Sequence, residues 1–319
     1  MRLPIILGLL VFCVARSGAA AELSDPSCFA LALPAELGAE GIDDIKLLIG
    51  WVFDTAASGQ TPSPGATIDR NSTLADVPGF AGTTDLTTLA GQYRVLHGPF
   101  DAGHGYYGIE LGRLDAGGRV TGIVLANRLF RLPVVLHEPI GVLTDIVTNG
   151  AMVSGLQTLA IRDAEAAADV ALAEAERQQV PLIVAGQSQA GGEAQLQAAY
   201  LAATHPERTV ETGFVTLNAA SVIASIRGLH LAPEAVAGVN FVKDLDPGFG
   251  PHGLLPNRAG LQVFIHPDGT AGAEAGDQSF FAAARHPAQH LLGSFNDIPL
   301  GEALAATLAA LPDRCVLPS

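Results

Sequence analysis

The stretch VPLIVAGQSQAGGEAQLQAAYLAA, Val180–Ala203, decides how the chain is read. An apolar run ends in Gly186-Gln187-Ser188-Gln189-Ala190-Gly191-Gly192, and an alanine-rich helical pattern follows without a break. A short, near-continuous apolar segment that gives way directly to a helix reads as a strand buried on both faces. The lone serine has two readings. It is either part of a tight packing turn or a nucleophile raised at the edge of a sheet. A sharp strand-to-helix turn that exposes a serine needs small neighbours, and Gly186, Ala190, Gly191 and Gly192 supply them. The helix opening at Gln189 would present backbone N–H groups to a developing oxyanion. The strand before and the helix after favour the nucleophile.

Outward from that turn the elements alternate. YYGIELGRL and RVTGIVLANRLF read as strands joined by the turn Asp115-Ala116-Gly117-Gly118. A helix is predicted over SGLQTLAIRDAEAAADVALAEAERQQ, ending just before Pro181. ETGFVTLNA, AGVNFVKD and AGLQVFIHPDG read as further strands, with a helical turn in VIASIRGLHLAP. A last helix is predicted in PLGEALAATLAALP, and a further helical segment over Ile42 to Ala57. The fold class that follows is α/β, a mostly parallel central sheet with helices on both faces. No internal repeat or long linker divides the chain.

The ends carry their own signals. Arg2, the apolar run Leu3–Ala15 and the small residues Ala19-Ala20-Ala21 read as a secretory signal peptide over residues 1–21. The run is too short to span a membrane. Residues 22–319 remain as one domain, long enough to bury a sizeable core. The net charge of −15 includes Arg2 and Arg16, so removing both leaves about −17. With no basic cluster, neither nucleic acid nor an anionic membrane surface is an expected partner. Cys28 and Cys315 then form an even pair near the two ends. In an oxidising compartment they read as one disulfide, against the alternative of two unrelated thiols. Asn71-Ser72-Thr73 matches a glycosylation sequon of little specificity.

The segment G-Q-S-Q-A-G-G-E-A resembles the nucleophile turn of the α/β-hydrolase superfamily, lipase class 3 type, where strand, G-H-S-L-G-G and an Ala- and Leu-rich helix follow one another. Gln187 stands where that family has histidine, and Gln189 where it has an apolar residue. The resemblance spans roughly residues 105–295 and implies a Ser–His–Asp triad used in the order serine, acid, histidine. The family's acid lies in a D-[IV]-V-P segment, which falls on Asp244 of KDLDP when no gap is allowed. Asp246 stays open, because a shift of two residues keeps the same strand face. The alternative is that both acids bind solvent or cap a turn before Pro247. A D-x-D calcium loop lacks further spaced ligands. Among the later histidines, the resemblance implies His290 as the base, with Phe295 as the aromatic that follows it. His286 and His266 are the alternatives; His266 falls in the family's late Y-x-H-x-G strand, where histidine is not catalytic.

The oxyanion donors implied are Gln189 and a residue near Asn127 or Arg128, although ANRLFRLP replaces the family's R-G-T-like turn. LFRLPVVLHEPIGVL reads either as an apolar flap over an acyl pocket or as a buried strand with His137 as a core residue. With the signal peptide pointing to a secreted or periplasmic protein, the resemblance implies a serine hydrolase acting on small-molecule or lipid esters, with no metal and no organic cofactor. The competing readings are a non-catalytic envelope or binding protein on the same scaffold, and another acyl hydrolase such as a peptidase or polyester depolymerase.

Overall fold

The computed structural model describes residues 38–69, 74, 86–128, 150–248, 250–251, 253, 256–257, 259–277 and 279–311. The signal peptide, Cys28, Cys315, the sequon at 71–73 and the LFRLPVVLHEPIGVL segment lie outside them. Among the described residues one sheet runs in the order β1 to β8, the order of the chain itself. It opens with an antiparallel meander of β1 (Tyr93–Phe100), β2 (Gly108–Leu114) and β3 (Val120–Asn127). The parallel part follows, with β4 (Leu182–Gln187), β5 (Thr212–Leu217), β6 (Gly238–Lys243) and β7 (Leu261–Ile265) added in turn beyond β3. The short β8 (Ala271–Gly272) closes the far edge antiparallel.

Sequential strand order has a consequence for the helices. Right-handed crossovers that always step the same way leave every connecting segment on one face. α2 (Leu159–Gln178) links β3 to β4, α3 (Gln189–Thr204) links β4 to β5, and α4 (Ile223–Gly228) leads on to β6. Residues of all three share one core with Ile123, Leu125, Leu182, Val184 and Phe214 of the strands. The opposite face would be bare. It is covered by α1 (Gly38–Ala57) and α5 (Leu300–Ala310), which come from the two ends of the described chain and pack against each other. α1 turns Ile42, Ile45, Ile49, Val52 and Phe53 inward at helical spacing, onto Val124, Ile183, Val215, Phe241 and Val263. Alternate residues of β3, β4 and β5 thus enter different cores.

Local chemistry sets the boundaries. Thr158 caps α2 by accepting the Ile161 N–H at 3.2 Å, four residues inside the predicted start, and Gln179 ends it in the left-handed region at φ 55°. In the β2–β3 turn Asp115 Oδ1 accepts from the N–H groups of Gly117 and Arg119. β1 was not anticipated in the sequence. It is an edge strand, half exposed and bulged on either side of His97, and Gly98-Pro99 disguises it further.

Candidate active site

The parallel strands deliver the site at their C-terminal ends, where open α/β sheets leave a crevice for ligands. β4 stops at Gln187, and Ser188 turns the chain into α3 with φ 58° and ψ −122°. A non-glycine residue with positive φ outside the usual left-handed well is strained, and its surroundings must hold it there. Here they do so through the main chain. Ser188 N–H donates to Leu217 O at 3.1 Å, and Ser188 O accepts from Gly192 at 3.1 Å and Ala220 at 2.8 Å. Gly186 is obligatory, because a Cβ there would lie 2.2 Å from Ala190 O. A Cβ at Gly191 would come within 2.8 Å of Ala219 Cβ. Ser188 is left partly exposed between buried neighbours.

His290 ends a short 3-10 turn, Pro287–His290, and reaches back to the serine. Its Nε2 lies 2.7 Å from Ser188 Oγ, and its Nδ1 lies 2.9 Å from Asp246 Oδ2. With Nδ1–H donated to the carboxylate, Nε2 accepts the serine hydroxyl. Asp246 is wholly buried, whereas the His290 side chain keeps 27% of its exposure. Its second oxygen accepts the Gly248 N–H at 2.7 Å, so both carboxylate oxygens are engaged.

The Pro247 offset had pointed to Asp244, and the geometry differs. β6 ends at Lys243, and Asp246 N–H donates to Lys243 O at 3.0 Å, closing a turn. Beyond the strand the two-residue alternation no longer holds, so Asp244 and Asp246 point apart. Asp244 accepts from His266 Nδ1 at 2.6 Å and from the Gly276 N–H at 3.1 Å. It is fully buried rather than a solvated turn acid, and its Oδ1 has no hydrogen-bond partner among the described residues. His266 is thereby committed to Asp244, and His286 is exposed ahead of the 3-10 turn. Neither is brought to Ser188.

The second oxyanion position was expected near Asn127 or Arg128, where β3 ends. Asn127 is buried with its amide donating to Gln197 Oε1 at 2.6 Å and accepting from Tyr106 at 2.8 Å. The Arg128 N–H is taken by Tyr107 O. Asn127 therefore anchors β3 to α3, and Gln197 completes the anchor by donating to Tyr106 Oη and Ala164 O. Burial holds the Tyr106 phenol well above its usual range. Gln189 opens α3 with its side chain turned inward to Glu193 at 3.1 Å, so its main chain is the part that borders Ser188.

Several contacts that matter here were not anticipated from the sequence. Gln187 donates its amide to His290 O, and Asn218, the residue after β5, donates to Gln289 O at 2.8 Å. Lys46 of α1 donates to the carbonyls of Phe295, Asn296 and Ile298. Phe295 is fully buried and carries Lys243 Nζ 5.2 Å from its ring centre. Burial draws the Lys243 ammonium down to about 8, against the opposing pull of Asp297. The available signal was an amide terminating each of two apolar strands, LIVAGQ and FVTLN.

No protein-family model matches the sequence, and no characterised protein matches it at significant similarity. Solved structures do resemble the fold. A Rhizomucor miehei lipase–propeptide complex is similar at 12% identity and a TM-score of 0.44, over 80% of this chain and 79% of that one. A triacylglycerol lipase from Penicillium expansum matches at 13% identity and 0.37, over 72% and 80%. An extracellular lipase from Serratia marcescens matches at 14% and 0.40, over 70% and 42%. At these values the likeness adds nothing to the geometry, and the residues must stand for themselves. Among the described residues, no cluster of three or more His, Cys, Asp or Glu could hold a metal ion, and no helix is long and apolar enough to cross a membrane.

Proposed function

We propose that the chain is an exported serine hydrolase of carboxylic esters, residues 22–319 forming one catalytic domain. Ser188 is the nucleophile, His290 the general base and acid, and Asp246 the orienting carboxylate. The observation that carries this reading is the unbroken hydrogen-bonded line from Ser188 Oγ through His290 to Asp246, mounted on a serine held at φ 58°.

The chemistry follows from that line. As Ser188 Oγ attacks the ester carbonyl, its proton passes to His290 Nε2, and buried Asp246 stabilises the imidazolium. Negative charge gathers on the former carbonyl oxygen beside the N-terminus of α3, where the Gln189 N–H is assigned to it. Collapse returns the proton from Nε2 to the departing alkoxide and leaves an acyl group on Ser188. Water, deprotonated by the same nitrogen, then releases the acid. No step calls for a metal or an organic cofactor.

The test is hydrolysis of a panel of p-nitrophenyl esters by the mature protein. Ser188→Ala is expected to lower kcat by about three orders of magnitude or more while the thermal unfolding midpoint stays close to that of the parent. Undiminished turnover by the alanine variant would remove Ser188 from the mechanism.

A further inference from the structure

His290 belongs to no strand or long helix, yet its two ring nitrogens meet Ser188 and Asp246 simultaneously. The last carbonyls of a helical turn have no partner within the turn. Here those of Gln289 and His290 are each taken by a side-chain amide from a neighbouring strand end. Gln187 Nε2 donates to His290 O, and Asn218 Nδ2 donates to Gln289 O at 2.8 Å, with Ser294 Oγ adding a second bond to Gln289 O at 3.0 Å.

Both amides are rigidly mounted. Gln187 is the last residue of β4, paired in register with Leu217, and lies next to Ser188 in the chain. Asn218 is wholly buried; its N–H donates to Phe241 O at 2.8 Å, and its Oδ1 accepts the Lys243 N–H at 2.9 Å. Lys243 is the strand residue from which the Asp246 turn departs. One amide therefore references the histidine loop to the serine, and the other references it to the acid.

We propose that Gln187 and Asn218 are positioning residues, whose amides fix the main chain at 289–290 so that His290 faces Ser188 and Asp246 together. The proposal rests on His290 as the base and explains why glutamine, a flexible donor, stands before the nucleophile. A displacement of about 1 Å would stretch a 2.7 Å contact beyond useful hydrogen bonding.

Two substitutions remove the donors at nearly constant volume. Gln187→Met leaves no donor. Asn218→Asp keeps an acceptor for Lys243 and tolerates the left-handed φ of 43° at that position. Each is expected to lower kcat by about ten- to a hundredfold, with KM changed less than about twofold. Gln187→His, which restores an N–H donor, should recover most of the loss. Because the two amides hold one peptide stretch, the double variant should lose less than the product of the single losses.

An independent readout needs no substrate. The downfield proton of the His290 Nδ1–Asp246 bond, followed by NMR in the mature protein, should shift or broaden in both variants and return in Gln187→His. If the resonance and kcat match the parent in both donor-less variants, the positioning role is wrong. It is equally wrong if the losses track only a lowered unfolding midpoint and Gln187→His rescues neither readout. If the parent shows the resonance but hydrolyses no ester and takes no fluorophosphonate, the hydrolase reading fails on its own, and the resonance still decides the role of the amides.

Discussion

Asp244 and Asp246 are both buried, each beside a histidine, but only Asp246 shares its histidine with a serine. Replacing an orienting carboxylate by its isosteric amide takes away the partner that fixes the imidazole tautomer. Asp246→Asn is therefore expected to lower kcat by about three to four orders of magnitude, with the fold intact. Asp244→Asn should leave kcat within a few-fold. It weakens the charge-assisted contact to His266 inside the protein, so it should lower stability by about 1–3 kcal/mol in urea unfolding. If Asp244→Asn is the inactive variant and Asp246→Asn turns over normally, the acid is misassigned. The sequence alone could not separate the two. Strand alternation makes residues two apart look equivalent, and the turn that ends this equivalence is closed by a main-chain bond to Lys243. The serine was legible because its requirements are local: small flanks, an apolar strand before it and a helix after it. His290 was reached only through resemblance, since a base 102 residues from its nucleophile leaves no local pattern.

At the scale of elements, the parallel strands were legible because β4 to β7 are short apolar runs buried almost throughout. β1 was not, because an edge strand needs no continuous apolar character. Apolar runs flanked by helices also imply cover on both faces without saying which helix lies where. That followed only from the sequential strand order, which sends α2, α3 and α4 to one side and leaves the other to α1 and α5. The β4–α3 junction is the element whose geometry the site depends on most. Gly186→Ala would place a methyl 2.2 Å from Ala190 O, a backbone atom that can move only if the turn opens. Destabilisation on the order of 3 kcal/mol is expected, with loss of ester hydrolysis, read by urea unfolding and by turnover. A variant of parental stability and rate would show that the turn is looser than its contacts imply.

Across the molecule, Glu110 couples stability to pH. Its side chain is fully buried on β2, with Oε2 3.0 Å from His97 Nδ1 and no hydrogen-bond partner for Oε1 among the described residues. Burial pushes this carboxyl up to about 7, while His97 pulls the other way. Between about 4.5 and 7 the unfolded chain has released this proton and the folded chain still holds it. Stability therefore falls as pH rises through that window, by on the order of 3 kcal/mol. Glu110→Gln removes the titration and should flatten that part of the curve. Urea midpoints of parent and variant, compared from about pH 5 to about pH 8, should diverge as pH rises. Parallel curves would contradict the assignment.

The central claim is that Ser188 is an activated nucleophile. It is tested most directly by treating the folded, mature protein with a fluorophosphonate and mapping the adduct by peptide mass spectrometry. The predicted result is one stoichiometric adduct on the peptide containing Ser188, formed far more slowly in His290→Ala and abolished by prior unfolding. A protein that stays unmodified, or carries its adduct on another residue, would contradict it.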